Sequence, residues 1–509
     1  MKGKRIILML TMAGSLCAAT GVSAKGKQAD RLVFDPQAYK ESSLTMPDGK
    51  DVRFKAYEGI YYVTNVEDST YQTLNIYVPE VLRSGDSTPI FLRTYIGGYM
   101  ATTAKTPSAS DATGRALQEG YVVCIPGSRG ANSTISRDGK TVYTGIAPNG
   151  LLDLKAAVRY LRHNDTLIPG NAERVIIDGT SAGGAMSALV GATGDRPEYD
   201  SYLRKMGAAD ASDKVFASVC YCPITDLNHA DMEYEWLYGC TNTGVRHLDA
   251  SQIAISDELA AECPAYINSL NLRDSDGNAI TADNYKDYLK TFLIASAHKA
   301  LEEGCDIPDT IGIIRYSEKP NFGGGPMRRP GNDGRGAPSF GTGGARPTFN
   351  NNTDYVTDID LDKYLSYVAS VTRLKTPPAF DQYGVLIDTP TPENNVFGDA
   401  AGTPANFTDF SLRHRLHDNN ASLDKKMVDR VYIMNPMNFI SESAASVAPH
   451  WYIRHGAKDR DTSFLVPINL ATRLMNSGYD VDFFLPWNRP HSGDYNLDSL
   501  FTWIAGITG

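Results

Sequence analysis

The chain has too little positive charge and too few long apolar runs for two broad classes of protein. Its 49 lysines and arginines are outnumbered by 59 aspartates and glutamates, and the net charge is −10. Because no basic patch is evident, nucleic acid and anionic membranes are not expected as main partners. No segment after the N-terminus is apolar over the length of a membrane span. The hydrophobic content of 42% is that of an ordinary globular protein.

Cysteine is also scarce, with seven in 509 residues. Six lie beyond the N-terminal segment, at positions 124, 220, 222, 240, 263 and 305. These are too few for a disulfide framework in a chain of this length. Cys220 and Cys222 lie in one strand-like stretch, where their thiols would share a face and could not bridge each other. We interpret them as buried thiols. Zinc is not expected without a second ligand pair, and neither a metal nor an organic cofactor is predicted.

The N-terminus has the pattern of a secretory signal peptide. Three basic residues precede an apolar run over residues 6–19, and small residues follow up to Ala24. The apolar run is too short to span a membrane. The pattern predicts cleavage after Ala24 and a secreted or periplasmic protein.

Strand-like and helix-like stretches alternate along much of the chain. An aromatic, alternating stretch over 52–78 predicts antiparallel strands at a sheet edge. Short apolar runs typical of strands buried on both faces then occur at 89–96, 121–126, 174–178, 215–221, 451–455 and 481–486. Helical periodicity separates them and is clearest over 151–164. The alternation predicts an α/β fold with a doubly wound, mostly parallel sheet.

The alternation is interrupted in the middle of the chain. We predict that residues 25–225 and 436–509 form the two parts of one core domain. Residues 226–435 are mainly helical in pattern and are predicted to form a large inserted domain, which we call the lid. Within the lid, residues 322–345 are rich in glycine and proline and are predicted to form a solvated, flexible loop.

A strand–turn–helix pattern surrounds Ser181. Residues 179–183 (GTSAG) follow a buried strand and precede a helix of small residues, which favours a nucleophile elbow. The elbow leaves the serine hydroxyl exposed and the next backbone N–H, that of Ala182, free to bind an oxyanion. A second oxyanion donor is expected from the loop after the strand at 89–96, where Gly97 and Gly98 are the candidates.

A serine nucleophile needs a base and a carboxylate that orients this base, and both follow the serine along the chain in this fold. His491 follows a strand and a turn, where such a base is expected. His229, at the start of the lid, is the alternative. The carboxylate is expected in the loop after the strand at 451–455, where Asp459 and Asp461 point the same way in extended chain. The pattern alone does not distinguish the two aspartates.

These residues resemble the bacterial tannases (tannin acyl hydrolases), which are serine esterases of the α/β-hydrolase fold with a large inserted lid. The resemblance extends over nearly the whole mature chain. It rests on the motifs GTSAGG, IGGY, DLKAAVRYLRHN, YCPI, HADMEYEW, LKTPPAFDQ, PENNVFGDA, IRHGAKDRDTSF and PHSGDY.

The resemblance implies a function and a site. The implied catalytic triad is Ser181, Asp459 and His491. The residues implied to bind the three hydroxyls of a galloyl ring are Lys375, Glu393 and Asp461. The chain is then expected to be an exported esterase that hydrolyses galloyl ester and depside bonds of tannins and simple gallates, a small-molecule substrate class. The alternatives are a hydroxycinnamoyl (feruloyl-type) esterase on the same scaffold and a catalytically inactive binding protein.

Two features differ from related esterases. Residues 322–345 look like an extra insertion in the lid. Thr180 and Ser492 occupy positions where fungal tannases and feruloyl esterases have a disulfide pair, so the disulfide-linked fungal type is excluded, whereas a feruloyl-type esterase on the bacterial scaffold is not.

Overall fold

The structure is a computed structural model that describes residues 30–316, 355–441 and 446–509. The predicted signal peptide and the glycine-rich stretch 322–345 lie outside the described residues. The strands are β1 (Lys40–Thr45), β2 (Asp51–Tyr61), β3 (Thr73–Pro79), β4 (Pro89–Arg93), β5 (Val122–Pro126), β6 (Thr134–Arg137), β7 (Lys140–Tyr143), β8 (Asn171–Thr180), β9 (Ala217–Tyr221), β10 (Ile313–Tyr316), β11 (Tyr355–Ile359), β12 (His450–Arg454) and β13 (Asp480–Phe484).

The described residues also form thirteen α-helices. They are α1 (Ala112–Gln118), α2 (Asn149–His163), α3 (Ala182–Ala192), α4 (Asp200–Met206), α5 (Leu227–Tyr238), α6 (Ala250–Ser269), α7 (Tyr285–Glu302), α8 (Leu361–Val371), α9 (Pro392–Val396), α10 (Asp409–Leu416), α11 (Lys425–Ile433), α12 (Leu465–Asn476) and α13 (Leu497–Thr508). None of the helices in the described ranges is both long and apolar enough to cross a membrane.

Within the described residues, nine strands form one sheet in the order β1-β2-β3-β5-β4-β8-β9-β12-β13. From β5 onward in this order, neighbouring strands pair in parallel, and β1, β2 and β3 add an antiparallel edge. This arrangement confirms the predicted α/β fold with a doubly wound, mostly parallel sheet. It also confirms antiparallel strands at the edge over residues 52–78.

The central strands are apolar throughout because helices cover both faces of the sheet. In β8, Val175 and Ile177 pack into one hydrophobic core with α2 and α3. Ile176, between them, points to the other face and packs with α1 and α13. This alternation of side chains explains the continuous apolar run that predicted a strand buried on both faces.

The last strand corrects one expectation. Residues 481–486 were expected to form a strand buried on both faces, but β13 is the outermost strand and pairs only with β12. Asp480 is exposed and the following residues of β13 are half-buried. An apolar run does not distinguish an edge strand from a central one, because partial cover by helices is enough to keep it apolar.

The loops that leave the parallel strands converge at one edge of the sheet. The carboxyl ends of β4, β8, β9, β12 and β13 are adjacent there, and ligands of open α/β sheets bind at such an edge. The residues that follow these strands are therefore neighbours in space, although up to four hundred positions separate them along the chain.

Candidate active site

Ser181 lies alone between β8 and α3, which end and begin at the adjacent residues. Its backbone has φ 62° and ψ −126°, a conformation that a residue with a side chain rarely adopts. The Ser181 N–H donates a hydrogen bond to the Tyr221 carbonyl, at 2.9 Å, at the end of the neighbouring strand β9. The local geometry is the strand–turn–helix elbow that the sequence predicts.

The small residues around Ser181 are required by close backbone contacts. A Cβ atom on Gly179 would lie 2.3 Å from the carbonyl oxygen of Gly183. A Cβ atom on Gly183 would lie 2.7 Å from the carbonyl oxygen of Ile96. The second contact shows that the loop after β4 lies directly against the start of α3. It therefore brings Gly97 and Gly98 next to the elbow.

Gly97 and Gly98 border open space on the side where a side chain would project. A Cβ atom on Gly97 would meet nothing within 4 Å, and one on Gly98 would meet only the Met100 side chain, at 3.9 Å. Ala182 is the first residue of α3, where backbone N–H groups have no acceptor within the helix. The predicted second donor segment and the start of α3 therefore lie close together beside Ser181.

The structure distinguishes the two aspartates that the sequence pattern leaves open. Asp459 Oδ2 lies 2.8 Å from His491 Nδ1, whereas Asp461 Oδ2 lies 3.8 Å from the same nitrogen. The other oxygen of Asp459 accepts the Asp461 N–H at 2.8 Å. Asp459 is fully buried and Asp461 is partly exposed. Asp459 is therefore the hydrogen-bond partner of His491, and Asp461 stands beside the pair.

Both members of this pair have shifted pKa values. Burial acts to raise the pKa of Asp459, but interactions with His455 and His491 outweigh it and lower the pKa to about 2. Burial acts to lower the pKa of His491, but the hydrogen bond with Asp459 and its charge outweigh burial and raise the pKa. Asp461 raises the His491 pKa further and Lys375 lowers it. Asp459 is therefore ionised near neutral pH and stabilises the protonated imidazole.

The loop of His491 also touches the elbow. A Cβ atom on Gly493 would lie 2.0 Å from Thr180 Oγ1, so this glycine packs against the residue before Ser181.

Because Nδ1 of His491 is hydrogen-bonded to Asp459, Nε2 is the ring nitrogen left to accept a proton.

Lys375 and Glu393 come from two separate segments of the predicted lid. The Lys375 ammonium lies 4.0 Å above the centre of the Phe380 ring. Glu393 is buried in the first turn of α9, and burial raises its pKa while the charge of Lys375 opposes this. The charge of Lys375 acts on both Glu393 and His491, so the structure brings these predicted residues into one electrostatic neighbourhood.

Tyr234 of α5 joins the lid to the aspartate loop. Its hydroxyl accepts the Lys375 N–H at 3.0 Å and donates to the Arg460 carbonyl at 2.7 Å. Arg460 lies between Asp459 and Asp461. One buried phenol thus fixes the distance between a predicted galloyl-binding segment and the partner of His491.

His229, the alternative base, lies in a different environment. Its Nδ1 is 2.7 Å from Asp226 Oδ1, and its ring stacks on Tyr266 with centroids 3.8 Å apart. It lines a cavity of about 500 Å³ that is lined by none of the predicted site residues. The structure therefore does not group His229 with Ser181.

Sequence reasoning missed a buried ion-pair network beneath the site. Arg93, the last residue of β4, forms a salt bridge with Asp178 near the end of β8. It forms a second salt bridge with Asp494, with 2.9 Å between Arg93 Nη2 and Asp494 Oδ2. It ties the strand of Ser181 to the loop of His491. The signal was present in the sequence: Arg93 and Asp178 are charged residues in apolar runs, and buried charges need partners.

Comparisons with known proteins show which family the chain belongs to. A family model described as BD-FAE matches residues 74–260. A tannase from Fusobacterium nucleatum is 35% identical with a TM-score of 0.78, covering 94% of this chain and 99% of that one. The tannin acyl hydrolase of Lactobacillus plantarum is 34% identical with a TM-score of 0.78, covering 94% of this chain and 100% of that one. A tannin acyl hydrolase in complex with ethyl gallate is 34% identical with a TM-score of 0.77, over 94% and 100% of the two chains. Curated proteins yield no match.

The mostly parallel sheet and the family-model match define an α/β-hydrolase, and the solved relatives define a carboxylic ester hydrolase. Identity above 30% over 94% of the chain identifies the family. The chain belongs to the tannase (tannin acyl hydrolase) family.

Proposed function

We propose that this protein is an exported serine esterase that hydrolyses galloyl ester and depside bonds and releases gallic acid. The observation that carries the proposal is the 2.8 Å pair of Asp459 and His491 on a loop that packs against the elbow of Ser181. Export is inferred from the N-terminal sequence pattern. A solved relative with ethyl gallate supports the substrate class.

In the proposed first step, Ser181 Oγ attacks the galloyl carbonyl carbon while His491 Nε2 takes the hydroxyl proton. Asp459 stabilises the resulting imidazolium. The negative charge that develops on the carbonyl oxygen is bound by the N–H of Ala182 and by Gly97 or Gly98. The C–O bond to the alcohol then breaks, and His491 returns the proton to the leaving oxygen.

The galloyl-enzyme ester is resolved by water. His491 takes a proton from the water as its oxygen attacks the acyl carbon, and the bond to Ser181 breaks as the proton returns to the serine. Gallic acid and free enzyme result. No metal or organic cofactor is needed for these steps.

Specificity is assigned to Lys375, Glu393 and Asp461. Vicinal phenols donate and accept hydrogen bonds, so charged partners give charge-assisted bonds of about 1.5–3 kcal/mol each. Because Glu393 is buried, a substrate without the matching hydroxyl leaves this carboxyl with one hydrogen bond fewer in a site closed to water. That penalty can reject such a substrate by up to about 10⁴-fold.

The test compares kcat/KM on methyl gallate, methyl protocatechuate and methyl ferulate. We expect methyl gallate to be fastest and methyl ferulate, which carries a methoxy group, to be much slower. Equal or faster hydrolysis of the ferulate would favour the hydroxycinnamoyl esterase instead. Binding of gallate without turnover of any ester would favour an inactive binding protein.

A further inference from the structure

The proposed catalytic aspartate also belongs to a second group of buried side chains. It consists of Cys222, just after β9, and of His455 and Asp459 in the loop after β12. All three are buried, and their ligand atoms lie within 4.8 Å of one another. Cys222 is a free thiol that contacts the Ser492 carbonyl oxygen at 3.3 Å. The group thus lies against the loop that carries His491.

His455 is the member of this group that indicates a ligand. It has no exposed surface, and neither ring nitrogen has a hydrogen-bond partner among the described residues. Its Nδ1 faces Asp459 Oδ2 at 3.6 Å, which is too long for a hydrogen bond. An unpaired buried polar group costs about 1–3 kcal/mol, so native structures rarely keep one unless it has another role.

The donor types, and the spacing between His455 and Asp459, suit a zinc-like cation. Thiolate, imidazole and carboxylate are the ligands that Zn²⁺ prefers, and bonds of about 2.0–2.3 Å in a tetrahedron separate the donor atoms by about 3.3–3.7 Å. The 3.6 Å between His455 and Asp459 falls in that range. Loss of the Cys222 proton would leave two negative ligands against the 2+ charge, which gives the neutral site that a buried position requires.

We propose that Cys222, His455 and Asp459 form a binding site for a Zn²⁺-class cation, and that occupancy reversibly inhibits the enzyme. The bound cation competes with His491 for Oδ2 of Asp459 and removes the partner that orients the base. The inhibitory part rests on the proposed function, whereas binding does not. The sequence analysis did not expect zinc because no second ligand pair lies near Cys222 along the chain. The fold brings His455 and Asp459, which follow the predicted lid in the sequence, next to Cys222.

Binding is tested on the full mature protein by titration with Co²⁺ and by equilibrium dialysis with Zn²⁺. We expect one ion per chain and a thiolate-to-cobalt charge-transfer band in the near ultraviolet. Cys222→Ser should abolish the band and weaken Zn²⁺ binding by at least about tenfold. Cys263→Ser, which alters another buried free thiol, is the matched control and should change neither. If Cys222→Ser does not fold, His455→Gln removes a different ligand and serves the same test.

Inhibition is measured separately, as the ratio of each variant's rate with and without Zn²⁺. We expect inhibition of the wild type that a chelator reverses, and loss of this inhibition in Cys222→Ser. A cation could also inhibit by binding to Asp459, Asp461 and His491, whose ligand atoms likewise lie within 4.8 Å of one another. Asp461→Asn tests this other site. Absence of a cobalt–thiolate band in the wild type would overturn the proposal. Inhibition that Asp461→Asn relieves and Cys222→Ser leaves unchanged would also overturn it. A wild type that binds the ion but hydrolyses no ester even without Zn²⁺ would instead argue against the proposed function.

Discussion

Asp459 Oδ2 lies 2.8 Å from His491 Nδ1, and Asp461 lies 1 Å further from the same nitrogen, at 3.8 Å. Two aspartates that are equivalent in the sequence pattern thus differ in the structure. The nearer one is buried and can orient the base. The further one is partly exposed, and we expect the two to respond differently to mutation.

Asp459→Asn should lower kcat/KM on every ester by about 10⁴-fold, because His491 loses its orientation and the partner of its cation. Asp461→Asn should weaken transition-state binding of methyl gallate by no more than a few kcal/mol. At a pH above the acid limb, its kcat/KM on p-nitrophenyl acetate should equal that of the wild type. Asp480→Asn is the matched control, since Asp480 forms an equally short pair with His450 at 2.8 Å outside the site. If Asp461→Asn alone lost activity on both methyl gallate and p-nitrophenyl acetate, Asp461 rather than Asp459 would be the residue that orients His491.

The pH dependence should report the charges around His491. The base must be neutral, so kcat/KM on p-nitrophenyl acetate should rise with pH through the His491 pKa, which lies above its ordinary value of 6.5. Asp461 raises this pKa and Lys375 lowers it. Asp461→Asn should therefore move the acid limb to lower pH, and Lys375→Met should move it to higher pH. Shifts in the same direction, or none, would contradict the proposed neighbourhood.

Gly493 should tolerate no side chain. Gly493→Ala places a methyl group 2.0 Å from Thr180 Oγ1, so either the loop that carries His491 or Thr180, next to Ser181, must shift. We expect a fall of at least about tenfold in kcat on all esters, since small misplacements of catalytic groups are costly. The double variant Gly493→Ala with Thr180→Gly should recover part of the loss. Gly239→Ala, at a glycine with open space around it, should have full activity.

Much of the core of this fold could be predicted because hydrophobic periodicity is a local property. The runs that became β4, β8 and β9 are apolar since helices cover both faces, and Ser181 follows β8 within a recognisable turn. The edge position of β13 could not be predicted, because strand order depends on which strands pair across the whole chain.

The parts of the site that could not be predicted are those that depend on contacts distant in sequence. Arg93, Asp178 and Asp494 carry charges whose pairing is visible only when β4, β8 and the loop of His491 are adjacent. Tyr234 is one of 28 tyrosines, and no local pattern marks it as the link between Lys375 and the aspartate loop. Lys375 and Glu393 were predicted only through the family resemblance, since each alone looks like an ordinary surface charge.

The most direct test of the central claim is kcat/KM of Ser181→Ala on methyl gallate, measured beside the wild type. The variant removes the hydroxyl and leaves the small side chain that the elbow accepts, so circular dichroism and gallate binding should be unchanged. The proposed mechanism predicts a loss of about 10⁴-fold or more. Hydrolysis within tenfold of the wild type by a correctly folded variant would contradict the assignment of Ser181 as the nucleophile.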